Sequence, residues 1–178
     1  MIILPGHNCF YDYCDTSDEF KNFLDPAWNK LLKEECLDLQ DNEKTKFIFK
    51  NNQVLVNPKR IPCLYKLLET IPNIRCVFLQ QIPTRTRGAK RQGAKNIANY
   101  TIRCVLPIEL SSSKKSGMWI DGSRKIYQDK TWIFYDDSRE SSVFNTHGKK
   151  QTYLLVIDID RPNHIPIGIS EEKTSSYF

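Results

Sequence analysis

From Arg75 onward the chain is a succession of short segments rich in β-branched and aromatic residues: Arg75–Gln80, Tyr100–Leu106, Met118–Asp121, Thr131–Tyr135, Ser142–Asn145 and Gln151–Asp158. Between them stand turn formers such as Gly122-Ser123, Asp136-Asp137-Ser138 and His147-Gly148. Small and Asx side chains tolerate the conformations a chain reversal needs, whereas β-branched and aromatic ones suit a pleated, half-buried surface. Short strands at near-regular spacing point to a sandwich or a barrel.

The first third carries helical signals instead. Asp25-Pro26 is an N-cap followed by proline at the first helical position, after which Ala27, Trp28, Leu31, Leu32 and Cys36 recur at helical spacing. Trp28 is expected to pack its ring on the β half. A second helix is expected over Pro62–Thr70, with Leu64, Leu67 and Leu68 on its apolar side and Pro72 preventing continuation. Between the two, Phe47-Ile48-Phe49 and Val54-Leu55-Val56 flank Asn51-Asn52 and read as a hairpin. The fold class is therefore α+β, mainly β, a jelly roll preceded by two helices. One compact core is expected for 178 residues. Ser111–Ser116 reads as a loop, and Ser170–Phe178 as a loose tail.

Hydrophobic residues at 40% and charged residues at 26% are globular usage, which excludes a disordered or fibrous chain. No apolar run reaches the length of a membrane helix. The N-terminal Met1–Asn8 stretch is interrupted by Pro5 and lacks a basic leader, so a secretory signal is not expected. Cys9, Cys14, Cys36, Cys63, Cys76 and Cys104 are scattered, without the paired spacing of a zinc site. Together these imply reduced thiols in a cytoplasmic or nuclear-type compartment. Charge is unevenly placed. Residues 1–44 hold ten acids against Lys21, Lys30, Lys33 and Lys44, while Thr70–Ile108 holds no acid and seven cations. Such a field favours an anionic partner, or an acidic surface of the same chain.

The stretch from Asn99 to Pro162 reads NYTIRCVLPIEL, MWIDG, TWIFYDDSRESSVFN and QTYLLVIDIDRP in order. It resembles the aspartyl/asparaginyl β-hydroxylase family of iron(II)- and 2-oxoglutarate-dependent oxygenases. NPKRIPCLYKLLETIP is similar to the family's helix before the first core strand, and the likeness runs over residues 55–165. It implies a double-stranded β-helix, a cupin-like jelly roll. The domain would span residues 1–165, with a helical part over 1–72, a β-helix core over 73–165 and a tail over 166–178. Carrying the family's chemistry across gives a deficit. The segment matching its Arg-x-His motif is Arg103-Cys104-Val105, so Val105 stands at a ligand position. Ser141 stands at the second ligand position, and Thr152 where an arginine would hold the 2-oxoglutarate carboxylate. Valine cannot ligate a metal, and neutral hydroxyls replace imidazole and guanidinium poorly. Arg103, Val105, Tyr135, Ser141 and Thr152 are thus the expected positions of a remnant pocket, with no catalytic residue, no metal and no cofactor assigned. The implied alternative is an active oxygenase hydroxylating Asp or Asn side chains of a protein, with iron(II) and 2-oxoglutarate bound.

Other chemistry-bearing residues read more plainly. His147 and His164 belong to turns, and His7 reaches a pocket only if its segment folds across one. Asp136, Asp137 and Glu140 are expected as a structural turn with solvated charge. Arg103, on a core strand, must find a carboxylate partner or an anionic ligand. The loop Thr84–Lys95 carries Arg85, Arg87, Lys90, Arg91 and Lys95 with two glycines and no acid. These five are expected to contact a polyanion, nucleic acid foremost, or an acidic protein, unless the loop docks on Glu34, Glu35 or Asp38. No membrane partner is expected.

Overall fold

A computed structural model describes residues 9–41, 43–112 and 114–173. Two antiparallel sheets face each other. The larger is built from β1 (Phe10–Tyr11), β9 (Ile133–Tyr135), β6 (Thr101–Glu109), β11 (Thr152–Asp160), β4 (Ile74–Ile82), β2 (Thr45–Lys50) and β3 (Gln53–Val54), in that order across the sheet. The smaller runs β5 (Thr86–Arg87), β10 (Ser141–Asn145), β7 (Ser116–Ile120), β8 (Ser123–Ile126). This is the expected jelly roll, preceded by α2 (Pro26–Asp38) and α3 (Pro62–Thr70). The shorter helices are α1 (Tyr13–Thr16), α4 (Lys95–Ala98) and two 3-10 helices, over Asp18–Phe23 and Pro58–Arg60. Among the described residues no helix is long and apolar enough to cross a membrane.

The single expected core is in fact two, one on each face of the large sheet. Alternation along β11 sends Leu154 and Val156 between the sheets, and Leu155, Ile157 and Ile159 outward beneath the helices. The same split divides β4 and β9, with Phe78 and Tyr135 inside, Val77 and Phe134 outside. A strand buried on both faces reads as an unbroken apolar run, which is what LLVIDI looks like in the sequence. Leu154 is 1% exposed, so Leu154→Ala is expected to cost about 2–5 kcal/mol of stability. Chemical unfolding indifferent to that change would place the strand phase wrongly.

The helices follow local chemistry. The Asp25 carboxylate accepts a hydrogen bond from Ala27 N at 2.7 Å, capping α2. Ile61 offers no cap to α3; Glu35 of α2 does so instead, accepting from Cys63 N at 2.7 Å and Leu64 N at 2.9 Å. The buried Asn29 ties α2 to the sheet, accepting from Trp132 Nε1 at 3.2 Å and donating to Lys130 O at 3.1 Å. Asn51 and Asn52 both take positive φ, 53° and 61°, as a tight β2–β3 hairpin requires.

The Trp28 ring packs against the outer core that the large sheet shares with the helices, edge-on to Phe23 and under the Lys66 ammonium of α3. Several expectations need correction. The division at residue 72 is no structural boundary, because β1, β2 and β3 belong to the large sheet. Gly122-Ser123 does turn, but Ser123 also opens β8. The tail beyond residue 165 is fixed as far as Glu172. Ser170 is fully buried; its N–H donates to Asn99 Oδ1 at 2.7 Å and its hydroxyl to Gly93 O. Lys95 N donates to Glu172 O at 2.7 Å. Residues 174–178 lie outside the described range. Cys9, Cys36, Cys63, Cys76 and Cys104 are free thiols. Burial, reinforced by the nearby Asp158 charge, pushes the Cys76 thiol up to about 12.

Candidate functional site

The end of the β-helix where β6 runs between β11 and β9 holds a dense cluster of buried charge. Arg103 on β6 pairs across the ladder with Asp158 on β11 and with Tyr135 on β9. Its Nε and Nη2 donate to the two Asp158 oxygens at 2.7 and 2.9 Å, a bidentate pair, and Nη1 reaches Asp137 Oδ2 at 2.9 Å. Side-chain exposures of 7%, 1% and 4% for Arg103, Asp158 and Asp137 place all three out of water. Burial alone would push the guanidinium pKa down, but the charges of Asp137 and Asp158 outweigh it, leaving the group well above its ordinary value. Burial raises the Asp137 carboxyl, opposed by Arg103 and Arg91. Tyr135 is raised chiefly by burial and next by Asp137.

A second network lies alongside. Asp136 accepts from Ser138 N and Oγ at 3.0 and 2.6 Å, and from Arg161 Nη2 at 2.6 Å. Arg161 Nη1 also donates to Pro166 O at 2.8 Å, binding the C-terminal segment to the turn. The acids of this turn were expected to be solvated. Asp136 and Asp137 are instead 1% and 3% exposed, and only Glu140 faces water. The reason is that Arg103 on β6 and Arg161, just past the end of β11, converge on them.

The five positions expected to form a remnant pocket face the interior between the sheets but do not converge. Arg103, Tyr135 and Ser141 lie toward the Asp137 end. Val105 sits one ladder position deeper, opposite Val156 and Ile133, in an apolar layer. Thr152 is six residues from Asp158 along β11, about 20 Å away, where its hydroxyl accepts from Ser111 N at 3.2 Å. The Ser141 hydroxyl is directed to Arg91 O at 3.4 Å.

The basic loop runs along the edge of the small sheet, with a two-residue strand and one isolated bridge. Thr86–Arg87 pairs with β10, Gly88 N donates to Val143 O at 2.9 Å, and Arg91 and Ser141 form an antiparallel bridge. A Cβ on Gly93 would meet Asp137 Oδ2 at 2.2 Å, so this close approach admits only glycine. The five cations accordingly part company. Arg85 and Arg87 are exposed. Lys90 pairs with Glu140 at 2.9 Å and Lys95 with Glu171 at 2.7 Å. Arg91 turns inward, where burial lowers its guanidinium pKa against the pull of Asp137. Docking on the first helix is also excluded, since Glu34 pairs with Lys30, Asp38 with Arg60, and Glu35 caps α3.

The donors do not suit an iron(II) centre. Val105 offers no lone pair and Ser141 only a neutral hydroxyl, while the nearby carboxylates of Asp137 and Asp158 are already engaged by the Arg103 guanidinium and are not presented as free ligands. Among the described residues no group of three or more His, Cys, Asp or Glu side chains is placed to hold a metal ion. His147 Nδ1 accepts from Lys149 N and Lys150 N at 3.1 and 2.9 Å, which confirms a turn role; His164 is exposed, and His7 lies outside the described residues. The sequence alone does not identify the carboxylate partners of Arg103, because Asp158 sits on β11 and Asp137 in the turn after β9, both far from it along the chain.

The sequence model of a family described as aspartyl/asparaginyl β-hydroxylase matches residues 12–162. Among solved structures, the fold resembles an oxidoreductase of the 2OG-Fe(II) oxygenase family from Burkholderia pseudomallei, with a TM-score of 0.60 and 12% identity over 84% of each chain. It also resembles the viral collagen prolyl hydroxylase vCPH from Paramecium Bursaria Chlorella virus-1, with a TM-score of 0.57 and 9% identity over 91% of this chain and 97% of that one. At such identities the likeness establishes the fold alone. A search of curated proteins finds no significant match.

Proposed function

Starting from the fact that this chain belongs to the aspartyl/asparaginyl β-hydroxylase family, we propose that it is a non-catalytic member, an oxygenase fold retained as a binding or structural domain. The family and its structural neighbours are 2-oxoglutarate-dependent oxygenases. One observation carries the proposal: where the family's motif would present histidine beside Arg103, the interior holds Val105, and Arg103 itself is neutralised by Asp158 and Asp137. A guanidinium whose donors are taken by two carboxylates of the same chain is not available to a co-substrate carboxylate. Thr152 supplies one neutral hydroxyl at the far end of the strand and already serves Ser111 N. Contact with partners then falls to the surface, where the exposed cations of the edge strand favour an anionic one.

The test is iron analysis of the purified protein, followed by calorimetric titration with 2-oxoglutarate in the presence of iron(II). Neither stoichiometric iron nor saturable 2-oxoglutarate binding is expected. The double variant Val105→His, Ser141→His is expected to gain weak metal affinity without turnover, because the co-substrate arginine is still missing and no supporting shell orients the new ligands. Succinate formation from 2-oxoglutarate by the unmodified protein would overturn the proposal in favour of an active Asp/Asn hydroxylase.

A further inference from the structure

Resting on that binding-domain reading, we propose that the outer face of the four-stranded sheet is a stacking platform for single-stranded nucleic acid. The inner face of this sheet contributes Met118, Ile120 and Val143 to the core between the sheets. Its outer face carries what the opposite alternation leaves: Trp119 on β7 and Phe144 on β10, both partly exposed. The helices α2 and α3 lie on the other sheet, so they do not cover these rings. An antiparallel sheet with one wet face ordinarily presents polar residues there. Two large aromatics on that face mark it as a contact surface.

The register brings the two rings together. Trp119 stands opposite Ser142 and Arg124, and Phe144 opposite Gly117 and Arg87. They are therefore diagonal neighbours on adjacent strands, roughly 7–8 Å apart at the backbone, a spacing that suits successive splayed bases. Gly117 makes room for this arrangement. A Cβ there would come within 2.7 Å of Phe144 Cζ and 2.3 Å of Lys125 O, so the ring lies across bare backbone.

Cations lie over both rings, where a stacking base takes their place and frees them for phosphate. The Arg124 guanidinium is 4.7 Å from the Phe144 centroid, and Lys90 Nζ is 4.4 Å from that of Trp119. Arg87, Trp119, Arg124 and Phe144 line a groove of about 340 Å³. Lys90 has a carboxylate partner in Glu140, but among the described residues none pairs with Arg87 or Arg124. At the end of the groove Arg85 N donates to His147 O, and Thr146 N to Lys115 O. This sets exposed Arg85, Lys115, Lys149 and Lys150 around the same turn. Aromatic faces beside a row of cations are what a single strand needs, bases stacking on the rings while phosphates meet the basic side chains. A duplex offers phosphates without base faces. An acidic peptide would satisfy the cations but leave the aromatic pair unused.

Fluorescence anisotropy with a labelled oligo(dT) and oligo(U) of about twelve nucleotides tests this, against a duplex of equal length. Both single strands should bind at about 50 mM salt and weaken at least ~10-fold by about 200 mM, the duplex more weakly throughout. Binding should quench tryptophan fluorescence. Trp119→Ala should weaken binding roughly 5- to 100-fold, while Trp119→Phe keeps the affinity and loses most of the quench. Arg87→Ser with Arg124→Ser, both exposed and safe for folding, should lower the affinity and flatten the salt dependence. No single-strand binding, equal affinity for the duplex, equal competition by polyglutamate, or an unchanged affinity in Trp119→Ala would each overturn the platform. Those outcomes are separate from the iron and 2-oxoglutarate test, which alone decides the non-catalytic reading.

Discussion

Arg103→Met should destabilise the protein by about 3–5 kcal/mol, because it strands two carboxylates in the interior. Asp158 and Asp137 are 1% and 4% exposed, and both are held by this guanidinium. For a domain of this size the loss corresponds to a fall in Tm on the order of 10 °C. The effect should depend on pH with a definite sign. Burial already raises the Asp137 carboxyl, against the opposing charges of Arg103 and Arg91, and loss of Arg103 raises it further. A carboxyl whose folded pKa lies above its unfolded one binds protons preferentially in the native state, so stability falls as pH rises through that window. The deficit of Arg103→Met relative to the unmodified protein should therefore be smaller near pH 4 than near pH 7. Replacing the charged set together, Arg103→Met with Asp158→Leu and Asp137→Asn, should recover much of the loss, since removing a whole buried ion cluster is often close to neutral. Urea unfolding of the three proteins at both pH values reads all of this. A single variant as stable as the parent would mean that the guanidinium is not the counter-charge of these acids.

Phe20→Ala should cost about 3–5 kcal/mol, although the residue lies in a short 3-10 helix near the start of the chain. Phe20 is fully buried and makes edge-on contacts with Trp132 and Phe134 at centroid distances of 5.3 and 5.2 Å. Its segment therefore closes the outer face of the large sheet at β9, and truncation leaves a cavity against Phe134 of that strand and Trp132 just before it. Phe20→Leu should restore most of the loss by refilling volume. The readout is the midpoint of global unfolding together with near-ultraviolet circular dichroism from Trp132. If only the N-terminal amides lost protection from hydrogen exchange while the midpoint held, this segment would be an appendage and not part of the core.

What the sequence determined by itself follows from short-range physics. Asp25-Pro26 and Pro62 place two helix starts, Asn51-Asn52 a hairpin, and the runs ending Leu106, Tyr135 and Asp158 their strands, because caps, turns and alternation act within a few residues. That Val105 has no lone pair and Ser141 only a neutral hydroxyl, on which the proposed non-catalytic reading rests, is equally legible, since it depends only on which side chains can donate an electron pair. Charge density along the chain is legible too, but not where that charge goes. Arg85 to Lys95 reads as one basic loop; hydrogen bonding to β10 lays it along the edge of the small sheet and sends Arg91 inward, Lys90 to Glu140 and Lys95 to Glu171, leaving Arg85 and Arg87 outside. Asp136 and Asp137 read as a solvated turn until Arg103 on β6 and Arg161 beyond the end of β11 fold back onto them. Trp119, Arg124 and Phe144 share a face only because β10 pairs with β7 and β7 with β8 in one particular register. A one-residue slip would bury those rings, and pairing register is set by long-range packing that no local segment encodes.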